Sequence, residues 1–221
     1  LKGGGDPATA ARAVLQTGEV DFIPTITVDR QLLDQLLSGS EAELIVNSGG
    51  ALSERIELNR ADPNTEVDGE RASASVPHPF FSDLRVRQAC ALAVDRQTIA
   101  DQIYGPPVTP NSNALIAPPQ FVSPNTSWEF NLQKAAALLD EAGWVDSDGD
   151  GVRDKDGVKL SILYQTSTIA RRQKVQEVIK QALESIGWEV ELKSVDNGVF
   201  FSSDPTNTDT FNHFYADVQM Y

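Results

Sequence analysis

Apolar residues recur at helical spacing in the first part of the chain. Ala10 and Val14, with Ala11 and Leu15, follow one helical face that Asp6-Pro7 opens and Gly18 ends. Residues 20–23 predict a short strand. Leu32, Leu33, Leu36 and Leu37 mark a second amphipathic helix over 29–37, stopped at Gly39. Residues 43–47 and 53–59 read as strands on either side of Gly49-Gly50. Residues 60–79 are polar and aperiodic and predict a long loop. Helical spacing resumes over 83–104, broken at Asp95. The following stretch, 105–128, holds six prolines and three asparagines, which preclude regular structure along its length. After it the pattern predicts a helix over 131–142, an acidic loop over 145–157, a strand over 158–165, a helix over 168–186 and a strand over 188–194. An irregular stretch and a closing strand, roughly 212–220, complete the chain. Strands alternating with helices predict an α/β or mixed α+β domain.

Composition narrows the function. The 221 residues suffice for one large domain or two small ones, and 40% hydrophobic residues support a packed core. Eighteen basic against thirty-two acidic residues give a net charge of −14, which repels phosphate backbones and argues against a nucleic-acid partner. Such a surface suits a soluble protein in a salty exterior. The single cysteine, Cys90, cannot form an intramolecular disulfide. It shares an apolar face with Val86 and Val94, the setting of a buried structural thiol. No run approaches the ~18 apolar residues of a membrane span, and no signal-peptide pattern opens the chain. The opening Leu1-Lys2-Gly3-Gly4-Gly5-Asp6 reads as the middle of a motif, so an excised piece is the expectation.

Three clusters carry candidate chemistry. In Asp146-Ser-Asp148-Gly-Asp150-Gly-Val-Arg-Asp154, carboxylates at alternate positions before a glycine turn can converge on a hard cation, as in an EF-hand loop. Asp146, Asp148, Asp150 and Asp154 are the candidate calcium ligands, and calcium is the one cofactor in view. Position twelve, however, is Gly157 where a bidentate glutamate belongs. The other reading is an acidic hairpin whose Asp-Gly pairs make tight turns. Second, the helix over 168–186 sets Arg171, Arg172, Lys174 and Lys180 opposite its apolar face, which reads as a solvated surface. Third, Phe200-Phe201 and Phe211 to Tyr215 gather aromatics that fit a cleft wall or a strand core equally. Catalysis has little to stand on. His78 and His213 are the only histidines, and no nucleophile elbow, zinc motif or phosphate loop occurs. A hydrolase whose triad is assembled only by the fold stays open as an alternative, as does a calcium-dependent surface module.

Four segments in order resemble one family. They are Pro79-Phe-Phe-Ser-Asp-Leu-Arg-Val-Arg-Gln-Ala-Cys-Ala-Leu-Ala-Val-Asp95-Arg, Asn131 to Ala142-Gly-Trp144, Leu183-Glu-Ser-Ile-Gly-Trp188, and the front segment Ala8 to Phe22. Together they resemble the extracytoplasmic solute-binding proteins of family 5, the oligopeptide-binding components of ABC importers. The resemblance implies a periplasmic-binding-protein-like type II lobe, a mixed sheet flanked by helices. Residues 1–59 would be part of a first lobe and hinge, and 60–221 the C-terminal lobe. It implies a non-catalytic protein that closes two lobes around a peptide or other small solute. It implies ABC permease subunits as partners of the full-length protein, and a periplasmic or lipid-anchored surface location. The loop 106–119 resembles a cleft-bordering element, which makes Asn111, Ser112 and Asn113 candidate cargo contacts, against ordinary loop polarity. The family's carboxylate for the cargo's amino group lies beyond the last residues here, so no ligand-binding residue is carried over from it. Family members have similar acidic loops near 146–157, which favours the turn reading there.

Overall fold

The computed structural model describes residues 6–23, 26, 28, 30–45, 53–105 and 108–221. Asp and Asn side chains open several of the helices. Asp6 accepts the Thr9 amide at 2.9 Å and opens α1 (Pro7–Leu15). After α2 (Arg30–Leu37) and a short strand β1 (Ile56–Leu58), Asp83 takes the Arg85 amide at 2.8 Å to start α3 (Leu84–Leu92). Asp95 takes Thr98 at 3.0 Å to start α4 (Arg96–Thr98), which runs on as a π-helix over Ile99–Tyr104. Asn131 takes Lys134 at 2.9 Å and opens α5 (Leu132–Glu141). These are N-cap bonds, each satisfying a donor the helix itself leaves orphaned.

The loop expected over 60–79 contains a hairpin, β2 (Glu66–Val67) and β3 (Glu70–Arg71). A second hairpin, β4 (Asp154–Lys155) and β5 (Val158–Lys159), closes the acidic loop. Both turn through an Asp-Gly pair at positive φ, Asp68-Gly69 and Asp156-Gly157, the conformation that suits a two-residue hairpin turn.

The core is a βαβ unit. β6 (Ser161–Ser167) leads through α6 (Ala170–Glu184) to a parallel β7 (Glu189–Val195). The chain then passes α7 (Asn197–Phe200) and returns to the far side of β6 as β8 (Val218–Met220), parallel to β6. β1 pairs antiparallel with β8, giving the order β1-β8-β6-β7. Residues 56–58 thus belong to the same sheet as the carboxy-terminal strands.

Two Gly-Trp pairs end α5 and α6 in the same way. The Trp144 amide bonds Leu139 O at 2.9 Å and the Trp188 amide bonds Leu183 O at 3.2 Å, with Gly143 and Gly187 at positive φ. These are Schellman closures. Both indoles land on Phe80, with centroids 5.7 and 5.8 Å apart. Around them pack Phe81, Val86, Ala89, Cys90, Leu139, Ile162, Tyr164, Ile179 and Leu183. Cys90 is buried, and the loss of solvation pushes its thiol up to about 12, so it is the inert packing thiol that its apolar neighbours predict. α1 and α2 pack on each other through Ala11, Leu15 and Leu36.

Several expectations shift in detail. Residues 20–23 are irregular, and among the described residues no strand pairs with them. Residues 43–45 are irregular too, and 46–47, with the Gly49-Gly50 turn, lie outside the described residues. The closing strand covers only 218–220, and residues 212–217 are turns and irregular chain.

Candidate functional site

β6 has a parallel neighbour on each side, one reached by going forward through α6 and the other by returning across the sheet. Such a reversal leaves a crevice at the carboxyl ends of the strands. Four segments converge there. β6 ends at Ser167, three residues before α6; β8 leads to Tyr221; Glu54 and Arg55 precede the antiparallel β1; and Tyr104 ends the π-helix. Arg55 and Tyr221 exchange both backbone hydrogen bonds, at 2.9 and 3.2 Å.

The side chains form two linked groups. In the first, Arg172 grips Glu54 with two bonds, Nε at 2.8 Å and a terminal nitrogen at 3.1 Å, and donates a third to Ser167 Oγ at 3.0 Å. Arg171 reaches Glu54 only at 3.8 Å. Its guanidinium lies over the Tyr104 ring, 5.0 Å from the centroid, and that of Arg172 lies 5.6 Å from the Phe201 ring. These are cation–π distances. In the second group, Arg55 lies over Tyr221 at 4.6 Å, donates to its hydroxyl at 3.0 Å and holds Glu57 at 2.9 Å. Tyr221 in turn donates to Glu57 at 2.9 Å. Phe200, Phe201, Phe211 and Tyr221 pack ring to ring beside them, Phe201 still 40% exposed.

Arg171 and Arg172 therefore correct the reading of a solvated basic face. Their side chains are only 17% and 12% exposed, because the first turn of α6 is turned into the sheet edge. Burial pushes the Tyr104 hydroxyl up to about 12, so it stays protonated and a donor. Three guanidinium groups face two carboxylates here, a local excess of positive charge in a protein of net charge −14.

A row of polar residues lies behind this edge. Glu57, Gln219, Gln165 and Lys193 stand at one register across all four strands. Gln219 and Gln165 donate to the carbonyls of Phe211 and Asp209, and Lys193 pairs with Asp209 at 2.6 Å. The row fixes the turn that presents Phe211.

The other sequence candidates fall elsewhere. Asn111 caps its own turn through the Asn113 amide, Ser112 bonds Thr126 at 3.1 Å, and Asn113 makes a reciprocal pair with Ser123 at 3.0 and 3.3 Å. These hydrogen bonds stay within the 105–128 segment and shape it. In the acidic hairpin the structure brings Asp146, Asp148 and Asp150 together, with an oxygen of each within 4.8 Å of the others. Asp154 is apart, its carboxylate taken by the Ser147 amide and hydroxyl at 3.0 and 2.7 Å. Asp146 accepts the Gly149 and Gly151 amides, and the Lys159 ammonium sits against Asp150 and Asp148. From the same hairpin, Arg153 donates to Ile186 O and Trp144 O, and Lys155 to Ala142 O, so its cations close the carboxyl ends of α5 and α6. Among the described residues neither histidine meets a serine hydroxyl. His78 is buried against Asp217, and His213 bonds Thr210.

A mixed sheet with a parallel neighbour on each side of β6 has the architecture of a lobe of the periplasmic-binding-protein fold. The crystal structure of the Bacillus subtilis oligopeptide-binding protein AppA in complex with a nonapeptide matches 98% of this chain and 39% of that one, with a TM-score of 0.60 and 25% identity. A mannohexaose-bound periplasmic oligopeptide-binding protein from Thermotoga maritima matches 96% of this chain and 37% of that one, with a TM-score of 0.65 at 20% identity, a likeness of fold. In sequence, AppA of Bacillus subtilis (strain 168) is 36% identical over 128 residues, 53% of this chain and 22% of AppA. The model of the bacterial extracellular solute-binding proteins, family 5 (middle), matches residues 4–216, and the chain belongs to that family. It spans between about a fifth and two fifths of the length of these relatives. Among the described residues no helix is long and apolar enough to cross a membrane.

Proposed function

We propose that the chain is the cargo-binding lobe of the solute-binding component of a bacterial ABC importer, working outside the cytoplasm, and that its cargo is a peptide. The observation that carries this is the convergence of Glu54, Tyr104, Arg171, Arg172, Phe201 and Tyr221 on the carboxyl edge of the sheet in a family named for solute binding. The match to a peptide-bound relative supports the peptide reading. Since residues 56–58 pair in the sheet, we take the lobe to begin near residue 53, earlier than the boundary at 60 expected from sequence. In the longer protein a second lobe would close over this edge by hinge bending, permease subunits would receive the closed form, and a lipid anchor or the periplasm would retain it near the membrane.

One wall of a clamp binds weakly, because the opposing wall supplies half of the buried area and much of the preorganisation. Titrating the purified chain with mixed short peptides, followed by calorimetry and by amide NMR shifts, tests the reading. Weak, saturable shifts clustered on Glu54, Tyr104, Ser167 and Tyr221 are expected. Submicromolar affinity for the lobe alone, or steady turnover of any small molecule, would overturn it.

A further inference from the structure

Glu54 has two arginines within reach and grips one of them. Arg171 and Arg172 are neighbours in the first turn of α6. Arg172 takes both carboxylate oxygens, at 2.8 and 3.1 Å, while Arg171 stays at 3.8 Å. A carboxylate accepts such a two-bond fork from one guanidinium at a time. The choice has a consequence, because Arg172 also donates to Ser167 Oγ at 3.0 Å and so ties α6 to the end of β6. A pair formed by Arg171 instead would loosen Arg172 from both residues.

Tyr104 is what separates the two arginines. The guanidinium of Arg171 lies over its ring, 5.0 Å from the centroid, and a ring face holds a planar cation without a carboxylate. The ring reaches that place because of how its helix is wound. From Ile99 to Tyr104 the chain is a π-helix, and the Gly105 amide bonds Ala100 O, five residues back, at 2.7 Å. An α-helix would bond four residues back. The extra residue turns the end of the element by about 100°, the angle one residue takes in an α-helix. Ile99 and Ala100 are buried and fix the start, so the rotation falls on Tyr104. Gly105, at φ +69°, closes the element where a Cβ would come within 3.0 Å of the Arg30 side chain.

We infer that Tyr104 is a positioning residue: the π-helix aims its ring at Arg171, and Arg171 so held leaves Glu54 to Arg172. Tyr104 acts on the binding edge only through that choice of partner, which sets where Glu54 and Ser167 stand. Its consequence for binding rests on the reading of this edge as the cargo face.

The test follows the side-chain Nε–H resonances of the two arginines, assigned through Arg171→Lys and Arg172→Lys. In Tyr104→Leu the Arg171 resonance should lose its ring shift and move downfield as it takes Glu54, while that of Arg172 moves upfield. Tyr104→Phe keeps the ring and should keep the native pattern. Removal of Gln102, exposed on the π-helix, should restore an α-helical turn and reproduce the Tyr104→Leu pattern with the tyrosine still present. Glu54→Gln should move the Arg172 resonance and leave that of Arg171 in place. It decides the matter if Tyr104→Leu melts early. An unmoved Arg172 resonance in Tyr104→Leu, or an Arg171 resonance that follows Arg172 in Glu54→Gln, would overturn the assignment. Trialanine, titrated at millimolar concentration against backbone amides, reads the consequence for binding. Its affinity should fall severalfold in Tyr104→Leu, and Tyr104→Phe should hold most of it. Unchanged affinity beside an exchanged pair would overturn the link to binding and leave the choice of partner standing. The absence of shifts in the native chain would overturn the cargo reading beneath it.

Discussion

His78 and Asp217, 139 residues apart in sequence, share a buried hydrogen bond of 2.9 Å between Nε2 and Oδ1. The Phe80 and Phe81 amides point at the other ring nitrogen, Nδ1, at 3.4 and 3.2 Å, which makes it an acceptor and leaves the proton on Nε2 facing Asp217. The second oxygen of Asp217 accepts the Leu163 amide at 2.7 Å, and Asn59 donates to Phe214 O and Ala216 O beside it. One pair thus joins the turn that carries Phe80 and Phe81 to β6 and to the entry of β8. Asp217→Ala would strand the buried His78 Nε2 donor and the half-buried Leu163 amide. It should lower the unfolding free energy by about 3 kcal/mol, measured as a shift in the urea midpoint at constant slope. A loss under about 1 kcal/mol would mean that water replaces the carboxylate.

The pair of Glu54 and Arg172 should behave as a unit. With side chains 25% and 12% exposed and bidentate geometry, it is closer to a buried bridge than to a surface one. Glu54→Gln and Arg172→Gln should each cost about 2 kcal/mol, and the double variant clearly less than their sum. Additive losses in a double-mutant cycle would show that the two side chains act separately.

Alkali should unfold the protein earlier than its carboxylates would suggest. Desolvation raises Cys90 from 9.0 to about 12 and Tyr104 from 10.0 to about 12, and pushes Tyr164 well up. Between those values the unfolded chain has released protons that the folded chain still holds. The stabilisation tied to these groups is complete below pH 9 and is lost as pH rises toward 12. Urea midpoints should therefore fall across this range, and Cys90→Ala should fall less steeply. A flat profile would contradict the burial of these groups.

Much of the scaffold is legible in the sequence because local chemistry decides it. Asp6, Asp83, Asp95 and Asn131 announce helix starts, and the Gly-Trp pairs at 143–144 and 187–188 announce helix ends. The β2–β3 hairpin had a readable signal in Asp68-Gly69, masked by the polarity of its neighbours. The candidate site is another matter. Arg171 and Arg172 sit where helical spacing sends charge to solvent, and only the return of β8 and β1 beside β6 encloses them. Their partners are 118 residues away at Glu54 in one case and on the π-helix in the other. No local window contains that information. The aromatics at 200, 201 and 211 were visible as a cluster, but their position at the sheet edge depends on the polar row that holds the turn at Asp209 and Phe211.

The acidic hairpin should not respond to calcium while Lys159 is in place. Asp146 spends its oxygens on the amides of Gly149 and Gly151, and the Lys159 ammonium lies against Asp148 and Asp150 and offsets part of their charge. A divalent ion must displace that ammonium and break those turn bonds for three exposed carboxylates, with Asp154 held away by Ser147. Calcium added in excess, and chelator after it, should leave the melting midpoint of the native chain unchanged. Lys159→Met removes the internal cation and leaves the carboxylates repelling one another. That variant should be less stable without calcium and should gain a calcium-dependent rise in midpoint that the native chain lacks, since an ion bound only by the folded state stabilises it. A clear rise in the native chain would instead identify the hairpin as a calcium loop and return Asp146, Asp148 and Asp150 to the role of ligands.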